Sequence, residues 1–108
     1  RLTITWGPSA QQGVSPTKPL SEIARQRQAD DLFGRQFAEG GSELTVGSRP
    51  AYRYEWTKAS TKRAGIEYIF FNELNYFFEV TAEASIDDFA TFAPLADEMM
   101  KQATFSSK

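Results

Sequence analysis

The sequence predicts one α+β domain in which an antiparallel meander of β-strands packs with helices. Three observations support this fold class. Three consecutive segments between residues 44 and 84 alternate apolar and polar side chains, as strands do. The segment after Ser85 repeats apolar residues at helical spacing. The chain has 108 residues and 14% aromatic side chains, enough for a single core and too many for a disordered chain.

The first strand is predicted over residues 2–6, where Leu2, Ile4 and Trp6 alternate with threonines. A domain seldom opens in mid-strand at an arginine, so we expect earlier sequence, either a targeting segment or a first hairpin. Residues 7–19 follow as a loop rich in Gly and Pro. This loop is a candidate for ordering on binding, and a disordered connection explains its composition equally well.

The first helix is predicted to begin at Pro19, whose missing N–H costs nothing in a first helical turn. Leu20 and Ile23 start an apolar face. Apolar residues further along the segment do not fall on the same side of a helix, which predicts that the helix ends or bends between Asp30 and Gly34. Arg25, Arg27 and Arg35, which accompany Asp30 and Asp31 along this segment, are interpreted as a solvated face and not as a phosphate site.

Three antiparallel strands follow, joined by short connections at Ser60-Thr61 and Glu73-Leu74, and Asn72 and Asn75 flank the second of these turns. Gly and Pro within the first of them predict a bulge or a break at residues 47–50. The predicted strands cover residues 44–57, 64–71 and 76–84.

The turns decide which side chains share a face of the sheet. Two-residue loops at 60–61 and 73–74 place Tyr54 opposite Glu67, and Glu67 opposite Val80. The sheet face opposite the predicted core face is apolar at one end and charged at the other, which predicts that another part of the protein or a partner covers some of it. The predicted core face consists of Tyr52, Tyr54, Trp56, Ile69, Phe71, Tyr76, Phe78 and Val80.

The last element is predicted to be a helix that starts at Ser85, with a capping box and acidic residues in its first turn. Apolar residues at 86, 89, 92, 93, 96, 99 and 100 give it one buried side. Pro94 removes one helical hydrogen bond, which predicts a kink or a restart. Thr104 and Phe105 are predicted to leave the helix.

Composition excludes several function classes. The chain has neither Cys nor His, so thiol nucleophiles, disulfides, imidazole bases and imidazole metal ligands are absent. A net charge of −2 disfavours nucleic-acid binding, and no apolar run is long enough to span a bilayer. The acidic pairs at 30–31, 87–88 and 97–98 lack EF-hand spacing and are interpreted as helix-end and surface charge. We therefore expect no catalytic residue, no metal and no organic cofactor.

The order of elements, with several short motifs, resembles the PsbP-like family, which includes extrinsic photosystem II proteins, bacterial lipoproteins and a Ran-binding import factor. The motifs are LTVG at 44–47, PAYRY at 50–54, YFFEVTA at 76–82 and ATFS at 103–106. The resemblance implies an α/β/α sandwich, no catalysis and docking to a larger assembly. It also favours an extracytoplasmic location, namely the periplasm, the cell surface or the thylakoid lumen, and it supplies no binding residues.

One candidate partner-binding surface lies on the second, mixed sheet face. In the predicted register an apolar row with aromatic side chains lies beside a row of charged and polar ones, as in a protein interface. The alternative is that the helix beginning at Ser85 covers this face. The candidate residues are Arg53, Tyr68, Phe70, Phe77 and Glu79.

Three functions remain open on the sequence. The first is a non-catalytic accessory domain that docks to a protein partner or a membrane-associated complex. The second is a small-ligand-binding domain with an aromatic pocket between helix and sheet, which a deep pocket with polar groups would favour. The third, an enzyme, would gain support from a buried carboxylate with a raised pKa inside a cleft.

Overall fold

The computed structural model describes residues 1–8 and 13–103. Within these residues the chain forms an antiparallel sheet of six strands with two α-helices, which confirms the α+β class, the antiparallel meander and the additional first strand. The elements are β1 (Leu2–Pro8), α1 (Leu20–Ala29), β2 (Gln36–Phe37), β3 (Ser42–Val46), β4 (Arg49–Lys58), β5 (Arg63–Phe71), β6 (Tyr76–Ser85) and α2 (Phe89–Gln102).

The strand order in the sheet is β1, β6, β5, β4, β2, and β3 also pairs with β4. The break predicted at residues 47–50 is a tight turn at Gly47 and Ser48 that folds β3 back on β4. Gly47 has a positive φ of 60°, and its amide donates to the carbonyl of Lys101. This turn therefore ties the sheet to the end of α2.

Helix α1 follows Pro19 and ends at Ala29, just before the predicted window. Beyond it, a carboxylate oxygen of Asp31 accepts from the amides of Phe33 and Arg35, which holds the chain in a turn. The predicted loop at 7–19 is divided, since β1 extends to Pro8 and residues 9–12 lie outside the described part.

Ser85 caps the last element as predicted, because its hydroxyl accepts from the amide of Asp88. A short 3₁₀ turn, Ile86–Asp88, precedes α2. Of the two outcomes predicted at Pro94, a kink or a restart, the restart does not occur, because the helix continues through this residue as one element. The prediction for Thr104 and Phe105 falls outside the described residues.

The sheet is covered on both faces. On one face Ile23 and Ala24 of α1 pack against Tyr54, Ile69 and Phe77. On the opposite face Ala96 and Met100 of α2 pack against a larger cluster, which confirms that a covering element lies there. The sheet and β3 side chains in that cluster are Val46, Ala51, Ile66, Tyr68, Phe70, Phe78, Val80 and Ala82.

None of the described helices is long and apolar enough to cross a membrane.

Candidate functional site

The five residues of the predicted surface do not share a face. Tyr54 pairs with Glu67 as predicted, but Glu67 pairs with Thr81 instead of Val80. The predicted register between β5 and β6 is therefore wrong by one residue, and every β6 side chain lies on the opposite face from the one expected. Phe77 and Glu79 consequently separate from Arg53, Tyr68 and Phe70, and Tyr76, Phe78 and Val80 leave the predicted core face.

The turn between β5 and β6 causes this shift. Asn72 donates its amide to the carbonyl of Tyr76, so the loop has three residues instead of two. Asn75 has a φ of 60°, the left-handed conformation typical of the third residue in such loops. The side chain of Asn72 stabilises the turn by accepting from the amides of Leu74 and Tyr76, each at 3.0 Å.

Arg53, Tyr68 and Phe70 lie under α2. The hydroxyl of Tyr68 donates to Oδ1 of Asp97 at 2.6 Å, and Nε of Arg53 donates to the same oxygen at 2.8 Å. Burial and the neighbouring Asp97 carboxylate raise the pKa of Tyr68 far above its usual value, so the hydroxyl remains a donor. The hydrogen bonds among Arg53, Tyr68 and Asp97 attach α2 to the sheet. Phe70, which is 1% exposed, is part of the core beneath this helix.

Phe77 and Glu79 lie under α1. Arg27 donates to both carboxylate oxygens of Glu79, at 2.8 and 2.9 Å, and its guanidinium lies 5.3 Å from the centre of the Phe77 ring. Phe77 is 1% exposed. The aromatic pair proposed as an interface, Phe70 and Phe77, is thus buried on two opposite faces, so these residues form no exposed surface.

Glu67 lies on the α1 face and is 1% exposed. It is the one acidic side chain that is fully buried among the described residues. Its Oε1 accepts from Arg35 at 2.7 Å and from the indole N–H of Trp56 at 3.1 Å. Its Oε2 accepts from the hydroxyl of Thr81 at 2.7 Å. A depression of about 470 Å³ opens beside it, and Phe33 and Trp56 contribute to its lining.

Burial, followed by the charge of Glu79, raises the pKa of Glu67 to about 7. The hydrogen bond from Thr81 and the positive charge of Arg35 oppose this effect only in part, and the Arg35 guanidinium also holds Asp31 at 2.7 Å. One cation therefore compensates two carboxylates, and Glu67 can take up a proton near neutral pH.

Two expectations about charge on this face are wrong. The predicted register set Glu67 opposite Val80 and therefore placed Glu79 on the other face, whereas the observed register places Glu67 and Glu79 on the same one. Arg27 and Arg35 are not a solvated face but partly buried ion-pair partners of these two glutamates. A buried glutamate on an otherwise apolar strand was the sequence signal for this network, and the one-residue shift in register concealed it.

Glu67 meets the description of a carboxylate that would favour an enzyme, but its hydrogen bonds reduce that support. Each of its oxygens accepts at least one hydrogen bond, and Glu79 is held by both arms of Arg27. A general base needs a lone pair that is free to face a substrate. Among the described residues, no group of three or more acidic side chains is placed to hold a metal ion.

The exposed apolar side chains of β1 form a second candidate surface, which we name the β1 row. Leu2, Ile4 and Trp6 are 42%, 43% and 51% exposed and share the α2 face with their partners Ala82, Val80 and Phe78. Trp6 stacks on Phe78 with ring centres 6.0 Å apart. The alternation of these residues was visible in the sequence, but the position of β1 at the sheet edge was not.

Two further large apolar side chains are exposed on α2, Leu95 and Met99. Asp97 lies on the side of the helix that faces Arg53 of β4. Helical geometry places Leu95 and Met99 on the side of α2 away from Asp97. Leu95 is 67% and Met99 48% exposed, whereas their chain neighbours Ala96 and Met100 are buried against the sheet.

No family model matches the sequence, and no curated protein shows significant similarity to it.

Proposed function

We propose that the chain is a non-catalytic binding domain that docks to a larger protein assembly through the β1 row. The observation that carries the proposal is the exposure of Leu2, Ile4 and Trp6 together on one face of the edge strand. We further propose that the arrangement of the sheet between two helices is a PsbP-like sandwich, and that the domain acts outside the cytoplasm.

The composition of the β1 row supports docking to protein. Each of its three side chains leaves about half of its surface in water, although their strand neighbours on the same face are buried. Contiguous exposed apolar side chains are uncommon on the surface of monomeric proteins, and where they occur they often mark interaction sites. Tryptophan is the side chain most enriched at the energetic centres of protein interfaces, and Trp6 is the most exposed member of the row.

The hydrogen bonds of one buried and two partly buried acids support a role without catalysis. Glu67, Glu79 and Asp97 each accept hydrogen bonds from arginine, and the first and last also accept from a hydroxyl. Such networks fix the position of helices on a sheet.

The proposal is tested by replacing Trp6 with a photoreactive phenylalanine derivative in cells that produce the protein. The matched control places the same group at Thr5, an exposed neighbour on the opposite face of β1. We expect discrete protein adducts from position 6 that disappear when Ile4→Lys is added. Equal yields of adducts from positions 5 and 6, or none from position 6, would exclude docking through the row.

The alternative is a small-ligand-binding domain, with the depression beside Glu67 as its site. The specific observation in its favour is that Phe33 and Trp56 line this space of about 470 Å³ together with Arg35. A bound ligand would quench or shift Trp56 fluorescence, and Phe33→Ala would weaken that response. A fluorescence screen of amphipathic small molecules without any saturable change would rule out this alternative.

A further inference from the structure

The free edge of β1 has a regular pattern of backbone groups. Arg1 and Glu83 exchange two backbone hydrogen bonds, one from the terminal amine of Arg1 and one from the amide of Glu83. In an antiparallel pair such doubly bonded positions alternate, so the odd-numbered residues of β1 bond to β6. The N–H and C=O groups of Leu2, Ile4 and Trp6 therefore point away from the sheet, and β1 pairs only with β6 within the described residues.

This free edge is symmetric about Ile4. Pro8, the next outward position, has no N–H group, so pairing of donors ends at Trp6. An antiparallel strand of the same sequence, related by a two-fold axis at Ile4, places Ile4 opposite Ile4 and Leu2 opposite Trp6. All three outward donors and all three outward acceptors of each copy are then paired.

We propose that the partner at this edge is a second copy of the chain, which joins the two sheets into one through β1. The inference rests on the proposed function, since it names the occupant of the β1 row. A long apolar edge without charge is the type that pairs with another strand, and residues 2–8 contain no charged side chain.

The side chains agree with the same register. On the apolar face the two Ile4 side chains become direct neighbours, and each Trp6 lies beside the Leu2 of the other copy, which removes apolar surface from water. On the other face Thr3 lies opposite Thr5, a favourable pair. Arg1 falls opposite Gly7 of the other copy, so no like charges meet across the edge.

The test uses cysteine cross-linking, for which the chain offers a clean background because it contains no Cys. Two Ile4 positions would have Cα atoms about 5.5 Å apart, within the range of a disulfide. Two Leu2 positions, or two Trp6 positions, would be about 14 Å apart and beyond that range.

We expect Ile4→Cys to form disulfide-linked dimers under mild oxidation at least about tenfold faster than Leu2→Cys or Trp6→Cys alone. An equimolar mixture of Leu2→Cys and Trp6→Cys should form the mixed dimer. Equal rates for the three single variants would overturn the proposed pairing.

A second measurement does not depend on disulfide geometry. Ile4→Pro removes one outward donor and no hydrogen bond to β6, so the variant should keep its circular dichroism spectrum and lose dimer in sedimentation experiments. Thr3→Lys, on the opposite face, should weaken the dimer less than Ile4→Lys. A native chain that remains monomeric at all concentrations would overturn the second copy as partner, whereas protein adducts from Trp6 would then still support docking to another protein.

Discussion

The Glu67 carboxylate shows how one side chain can link the segment after α1 to two strands of the sheet and still change its protonation state near neutral pH. Its carboxylate oxygens accept hydrogen bonds from Arg35 in the segment after α1, from Trp56 of β4 and from Thr81 of β6. If Glu67 is protonated on Oε2, the new O–H can donate to the Thr81 hydroxyl, which reverses that bond and loses none. Both protonation states are therefore compatible with the fold, at different free energies.

The first prediction concerns the dependence of stability on pH. The pKa of Glu67 is raised from 4.5 to about 7 in the folded chain, so between these values the folded state holds a proton that the unfolded state has released. The stabilisation is complete below about pH 4.5 and is lost as pH rises through about 7, with a total of about 3 kcal/mol at most. Urea unfolding across this range measures it.

Glu67→Gln is the control, because its amide donates to Thr81 and its oxygen accepts from Arg35 and Trp56 in the same geometry. We expect this variant to lose the added decline of stability with pH and to be more stable than the native chain above neutral pH. Identical pH profiles for the two proteins would show that Glu67 is already ionised throughout.

The second prediction concerns the two cores. Trp56 is buried on the α1 face and Phe78 on the α2 face, 4% and 2% exposed. Replacing either with Ala should lower the free energy of unfolding by about 3 to 5 kcal/mol, the usual cost of emptying an aromatic core site. Leu32→Ala, at an exposed position, is the control. A loss below about 1 kcal/mol for either aromatic would show that its core is loosely packed.

Among the elements, the hairpin turns account for the difference between the predicted and the observed sheet. The turn at residues 59–62 has four residues where two were predicted, yet the register is as predicted, because adding two residues keeps each side chain on its face. The turn after Phe71 is longer by a single residue, and the faces of β6 exchange. Asn72 and Asn75 were recognised as turn residues, but the left-handed backbone of Asn75 could not be read from their identity alone.

The third prediction tests this turn. Asn72→Ala removes two hydrogen bonds to the amides of Leu74 and Tyr76, and should destabilise the chain by about 1 to 3 kcal/mol. Glu73→Ala, at the exposed loop position next to it, should have an effect within about 0.5 kcal/mol of zero. Thermal unfolding of both variants measures these losses of stability. Equal losses in the two variants would mean that the Asn72 side chain does not stabilise the turn.

Asn75→Gly adds a check on the same element. Because glycine adopts positive φ without steric cost, this variant should be as stable as the native chain, whereas Asn75→Val should be less stable. Comparable losses for both substitutions would contradict the left-handed assignment.

At the scale of the molecule, local patterns sufficed for the order of the longer elements, but not for the two-residue strand β2 or for the three-dimensional placement of the elements. Alternation, Pro19 and the Ser85 cap indicated the strands and helices close to where they lie. The pairing of β1 with β6 joins residues that are about 70 to 80 positions apart in the chain, and no local pattern specifies it. The candidate surface failed for the same reason, since it depended on the faces of three strands, and one turn length changed them.

The position of β1 at the edge leads to the last prediction, which concerns hydrogen exchange along that strand. The amides of Thr3, Thr5 and Gly7 bond to β6, so they should exchange slowly, whereas those of Leu2, Ile4 and Trp6 point outward and should exchange at close to unprotected rates. NMR exchange on a dilute sample should therefore show protection at every second residue. Raising the concentration should protect Leu2, Ile4 and Trp6 selectively if a second copy pairs with this edge, and should leave Thr3, Thr5 and Gly7 nearly unchanged. Uniform protection along β1 at all dilutions would contradict a free edge, because all of these amides would then already be hydrogen-bonded in the single chain.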